Sequence, residues 1–192
     1  MKRVILLSAL AVFICHSPAL AKEGPYVGVG LAYVDIIGES GPPFDFSTVD
    51  PSIGLDIRVG YNFGRIALEG NFIASTHHED LPEFSNGDFT GFNLDLRVFL
   101  THPLSPNQVY FLGGLGWYTF DETDIGGNDH ELEGGGFNLG LGFEHYFNPQ
   151  VALDVRGVYR FISYEYNING VQVANNVNGD TFTLGVALNF YF

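Results

Sequence analysis

The stretch Ser75-Thr76-His77-His78-Glu79-Asp80 places hydroxyls, two imidazoles and two carboxylates within six residues. Hydrolytic or metal chemistry needs such groups to converge in space, and adjacency along a chain does not supply convergence. Nothing beyond residue type supports catalysis by this cluster, so no enzyme is expected. His102, His130 and His145 stand alone in the sequence and read as ordinary loop or interface residues. Gly134-Gly135-Gly136 leads into an alternating, strand-like segment, whereas a phosphate-binding glycine loop opens a helix.

Carboxylates are the second chemical resource. Glu39, Asp45, Asp50, Glu79, Asp80, Glu83, Asp88, Asp121, Glu122, Asp124, Asp129, Glu131, Glu133, Glu165 and Asp180 fall in four long polar stretches without one Lys or Arg. Such a rim is strongly negative, and solvation is the ordinary role of a charge run. Hard divalent cations also take oxygen ligands. Asp121, Glu122, Asp124, Asp129, Glu131 and Glu133 form the candidate cation-binding loop, though they lack EF-hand spacing. No other cofactor is implied.

A third set mixes signs. Asp56, Glu69, Asp95, Glu144 and Asp154 share one phase of an alternating pattern with Arg58, Arg97, Arg156 and Arg160. Ile53, Leu55, Ile57, Val59, Tyr61 and Phe63 alternate with Gly54, Asp56, Arg58, Gly60 and Asn62, and six further segments repeat the pattern. Successive side chains of a strand point to opposite faces, so one face is apolar and the other small or charged. Val109 to Phe120 is apolar on both phases; it reads as an eighth strand with unassigned faces. A soluble barrel would put the apolar phase inside. Sequestering nearly all the arginines with acids and glycines on the other phase favours a charged lumen and a lipid-facing apolar exterior.

The elements that position these residues follow the same logic. Lys2 and Arg3, the apolar run Val4–Cys15 and Ala19-Leu20-Ala21 form a signal-peptide pattern ending at Ala21. The run is shorter than the roughly 20 apolar residues of a spanning helix. Residues 22–192 make one domain of 171 residues without Cys or Met. Without Lys2 and Arg3, six basic residues face 22 acidic ones, a net charge of −16. That excludes a nucleic-acid partner, which requires a basic footprint. Asn62–Arg65, Thr101–Asn107 and Asn148–Gln150 are short connections. Ile36–Pro51, Ser75–Asp88, Phe120–Glu133 and Tyr164–Asp180 are long ones. Tyr61, Phe63, Phe143, Phe190 and Phe192 cluster near the short turns, and Tyr33, Phe72, Phe92, Phe137, Phe161 and Phe182 lie towards the long loops. Short turns, long loops and two aromatic girdles predict an all-β, eight-stranded, antiparallel up-and-down transmembrane β-barrel.

The final strand carries Leu184, Val186, Leu188, Phe190 and a terminal Phe192 at every second position. It resembles the C-terminal signal by which outer-membrane barrels are recognised by their assembly machinery. With the export pattern, the eight strands and phrases such as Tyr26-Val27-Gly28 and Leu112-Gly113-Gly114, residues 22–192 resemble the OmpA-type barrel family, including OmpX, Ail and NspA-like surface proteins. The resemblance is to the barrel alone, without an expected peptidoglycan-binding domain, so it implies no cell-wall anchoring. It does imply a lumen filled by a charged network, with Glu69, Arg97, Glu144, Asp154 and Arg156 as its counterpart here. Lipid A deacylases, also small barrels, carry a His-x-Ser motif that residues 22–192 lack. The expected setting is a bacterial outer membrane, with termini periplasmic and long loops extracellular, in contact with membrane lipids and lipopolysaccharide. The expected role is a structural and surface-interaction protein in adhesion or envelope integrity. A narrow gated channel is the alternative, and a lipid-modifying enzyme stands third.

Overall fold

A computed structural model describes residues 23–38, 49–78, 87–124 and 126–192. The predicted signal segment and the acids Glu39, Asp45, Glu79, Asp80 and Glu83 lie outside the described residues. Eight strands follow in order: β1 Gly24–Gly38, β2 Ser52–Asn62, β3 Ile66–His77, β4 Gly87–Phe99, β5 Asn107–Thr123, β6 Asp129–Asn148, β7 Val151–Ile168 and β8 Val171–Tyr191. Each pairs antiparallel with its chain neighbours, and β1 pairs with β8, with Tyr26 opposite Tyr191, to close the barrel. Closure satisfies every strand edge, which a sheet crossing lipid requires.

Alternation sorts the side chains as the sequence pattern predicts. Val59 is 60% exposed while Arg58 beside it is 0% exposed. Ile53, Leu115 and Trp117 also face outwards with their neighbours to form a continuous apolar band. In water so large a patch would drive association; in a bilayer it is the solvated surface. The register also assigns the ambiguous segment: Gln108, Tyr110, Leu112, Tyr118 and Phe120 point inwards, and Phe111, Leu115 and Trp117 outwards.

Two of the expected long loops are not loops. Phe120–Glu133 is a hairpin whose strands continue to Thr123 and from Asp129. Tyr164–Asp180 is another, in which Asn169-Gly170 alone turns the chain with φ of 51° and 75°. Two positive φ values are the requirement of a type I′ turn, which Asn-Gly meets. The polar residues flanking it belong to strands rather than to a loop. Ser75, Thr76, His77 and Asp88 likewise sit on β3 and β4. The tips are tied together: the Asn169 backbone N–H donates to the Asp129 carbonyl (2.8 Å), and the Asp129 N–H donates to Asn169 Oδ1 (3.0 Å). A branched residue at Gly170 would be strained by about 1–2 kcal/mol. Gly170→Val should therefore raise amide hydrogen exchange at the β7–β8 tip and leave the barrel wall unchanged; uniform loss of protection would disprove local strain.

Candidate functional site

The barrel interior is layered. At the short-turn end Tyr26, Tyr146 and Tyr191 pack in pairs with ring centroids 5.0 and 5.2 Å apart, joined by Phe99, Ala67 and Ala152. Glycines make room for such rings: a Cβ on Gly60 would lie 2.6 Å from Tyr26, and one on Gly142 would lie 2.1 Å from Tyr110.

Above this floor lies the charge layer, drawn from β2, β3, β4, β6 and β7. Arg58 pairs with Asp56 (2.6 Å) and with Asp154. Arg97 reaches Glu69 (3.2 Å), Glu144 (3.0 Å) and Asp154 (3.1 Å), and its guanidinium lies 4.0 Å over the Tyr110 ring. Arg156 joins Glu69 and Asp56 (3.5 Å). Tyrosines complete the acids' coordination: Tyr26 donates to Glu69 (2.6 Å), Tyr110 to Asp154 (2.6 Å) and Tyr191 to Glu144 (2.8 Å). Buried charges persist only when paired and hydrogen-bonded, and seven of the nine sequence-selected residues meet that condition in one network. The other two stand apart. Asp95 accepts from the Asn138 amide (2.9 Å) and Arg160 donates to Thr183 (2.7 Å), with no ion pair to either among the described residues.

Next comes an amide layer absent from the sequence-based set. Asn71 donates to Asp56, Asn93 to Asn71 (3.0 Å) and Asn138 to Asn93 (2.9 Å), with the Tyr118 hydroxyl donating to Asn138. These asparagines lie on the same phase as the charges, which is the signal that could have found them. The long-hairpin end is closed by an apolar layer that includes Val34, Ile36, Ile73, Phe89, Phe120, Leu132, Ile162, Tyr164 and Tyr166. The inward phase is therefore polar in only part of the barrel's length.

The Ser75–Asp80 cluster is split by alternation. Ser75 and His77 point inwards, and Ser75 Oγ lies 2.8 Å from His77 Nε2 while the Asp50 carbonyl holds His77 Nδ1 at 2.8 Å. Two elements of a triad are thus aligned, yet both side chains are buried beside Phe89 and Phe120. They tie β3 to the residues leading into β2. Among the other histidines, His130 contacts the Tyr166 hydroxyl (2.5 Å), and His145 contacts Asn107 (2.7 Å). His102 Nδ1 accepts from the Leu104 N–H (3.2 Å).

The candidate cation-binding residues do not converge. Asp121, Glu131 and Glu133 face outwards on β5 and β6, Glu122 points inwards, and Asp129 pairs in register with Thr123. Asp124, in the β5–β6 turn, is held down at about 2 by the Asn128 side-chain amide first and its backbone N–H second. Asp121 is raised by partial burial, then by Glu133 and Asp88. Among the described residues no group of three or more His, Cys, Asp or Glu is placed to hold a metal ion. The assembly-signal residues Leu184, Val186, Leu188, Phe190 and Phe192 all face outwards at the end of the chain.

Residues 6–190 match the family described as "Outer membrane protein beta-barrel domain". The chain belongs to this outer-membrane family. The crystal structure of Neisserial surface protein A is similar to it at a TM-score of 0.67 and 16% identity, covering 88% of this chain and 97% of that one. OprG from Pseudomonas aeruginosa is similar at 0.66 and 18%, covering 90% and 97%. Ail, the attachment invasion locus protein of Yersinia pestis, is similar at 0.53 and 15%, covering 88% and 99%. At these identities the likeness is one of fold. A comparison with curated protein sequences finds no match. Family membership decides what the apolar exterior faces: it is lipid, and the protein is an integral outer-membrane barrel.

Proposed function

We propose that this protein is a surface-interaction and structural protein of the outer membrane, whose barrel is a closed scaffold for its longer hairpins and loops. The observation that carries this reading is the filled interior, layered with tyrosines, ion pairs, amides and apolar side chains. An eight-stranded barrel is just wide enough for side chains to fill it. In the favoured orientation the termini and short turns are periplasmic, and the acidic ends of β4 to β7 are extracellular. Their carboxylates select cationic partners and repel polyanions. A non-catalytic role is supported by the burial of Ser75 and His77.

A narrow gated channel is the second reading, favoured by Asp95 and Arg160, which the ion-pair network leaves outside. Planar-bilayer recording separates the two. The closed scaffold predicts no stepwise conductance from the wild type. Steps in the wild type that change size or selectivity in Arg156→Glu would establish the channel instead.

A further inference from the structure

The register aligns the outward side chains into rows around the barrel. One row runs Phe72, Phe92, Trp117, Gly135, Ser163, so an aromatic belt ends at a glycine. A Cβ on Gly135 would meet nothing closer than a backbone oxygen at 3.9 Å, which makes this position an open notch. In the row below, Phe137 and Phe161 stack with centroids 4.4 Å apart. In the row above, Glu133 stands directly opposite Glu165, and both are exposed. Two surface grooves, of about 460 and 680 Å³, meet at Gly135 and Ser163.

Like charges directly opposite one another destabilise a sheet, and no arginine among the described residues lies beside this pair. Of the arginines, Arg58, Arg97, Arg156 and Arg160 are inside the lumen, and Arg65 is in a turn at the other end. An external cation would relieve the repulsion. The notch lies where the aromatic belt gives way to carboxylates, so one end of an occupant must be apolar and the other cationic. We propose that this notch binds a membrane lipid whose headgroup carries a primary ammonium group. Its acyl chain lies along Phe137 and Phe161. The ammonium, with three donors, sits between Glu133 and Glu165 beside the face of Trp117, where a cation–π contact adds to the ion pairs. An anionic headgroup is repelled there, and a choline headgroup has no N–H to donate. The inference rests on the barrel's membrane setting and not on the surface role proposed above.

Trp117 is the only tryptophan in the sequence, so its fluorescence reports the notch directly. The refolded protein in uncharged maltoside micelles is mixed with phosphatidylethanolamine, phosphatidylcholine or phosphatidylglycerol carrying identical brominated chains, at equal mole fractions. The ethanolamine lipid is expected to quench Trp117 as if enriched roughly threefold over the others, the scale of two exposed ion pairs. The double substitution Glu133→Gln, Glu165→Gln should remove the difference between headgroups without abolishing quenching. Gly135→Leu, which fills the notch, should lower quenching by all three. Equal quenching of the wild type by the ethanolamine and glycerol lipids would overturn the proposal without touching the surface role. Displacement of the brominated lipid by equimolar free ethanolamine would also overturn it, by making the site one for soluble cations.

Discussion

Replacing Arg97 with methionine should cost the barrel about 3–5 kcal/mol, the scale for removing one partner of a buried charge pair. Arg97 is fully buried and serves Glu69, Glu144 and Asp154 at once. The consequences for those acids differ. Glu69 keeps Arg156 and Asp154 keeps Arg58, but Glu144 has no second arginine. It would be left as a buried carboxylate held only by Tyr146, Asn189 and Tyr191. Adding Glu144→Gln should therefore recover much of the loss, because a neutral amide no longer requires the missing charge. Arg160→Met should cost less, about 1.5–3 kcal/mol for one hydrogen bond from a charged group, since Arg160 donates to Thr183 without an ion pair. Urea unfolding in phospholipid vesicles, followed by Trp117 fluorescence, measures all four proteins. An Arg97→Met variant within 1 kcal/mol of the wild type, or a double variant no better than the single, would refute this hierarchy.

That network could be named from sequence because two independent signals coincided on it. Alternation placed Asp56, Arg58 and their counterparts on one phase, and opposite charges on a shared face need one another. Partner choice was not legible: which of the five inward acids of that set Arg97 reaches depends on barrel stagger, and no local pattern encodes that. The inward tyrosines were hidden for a different reason. Tyr110 and Tyr118 sit in a segment apolar on both phases, where a phenol reads equally as a lipid-facing aromatic or as a lumen donor. Glycine resolves this only in three dimensions, since Gly142 on β6 is the space Tyr110 on β5 occupies. The loops misread for a third reason. Beyond the membrane the outer face of a hairpin is wet, so Tyr164–Asp180 loses its lipid-facing apolar phase. Tyr164 and Tyr166 continue the buried inner face, and the strands stay paired across register shifts. Asn169-Gly170 was the surviving local signal. The apolar closure at the long-hairpin end was hidden by the same assumption that gave the lumen its charges, namely one polarity along a strand's whole inner face.

Leucine at Gly142 should prevent normal folding, whereas leucine at Gly113 should not. At Gly142 the added Cβ falls 2.1 Å from the Tyr110 ring. The ring cannot yield cheaply, because its hydroxyl donates to Asp154 at 2.6 Å and its face supports Arg97 at 4.0 Å. Overpacking of 1–3 kcal/mol is typical of a filled core. Losing the buried hydrogen bond adds to it, for about 3 kcal/mol or more in total. Gly113 is on the neighbouring strand but points outwards, and the nearest atoms to an added Cβ are 3.8 Å away. There the side chain enters lipid and removes the roughly 0.5–1 kcal/mol penalty of a glycine within a strand. The fraction of each variant that migrates as folded on an unheated gel after refolding into vesicles should fall steeply for Gly142→Leu and hold for Gly113→Leu. Because the two substitutions are chemically identical, only the face each occupies can separate them. Equal outcomes would mean that the inside and outside of β5 and β6 are assigned wrongly, and the charge layer with them.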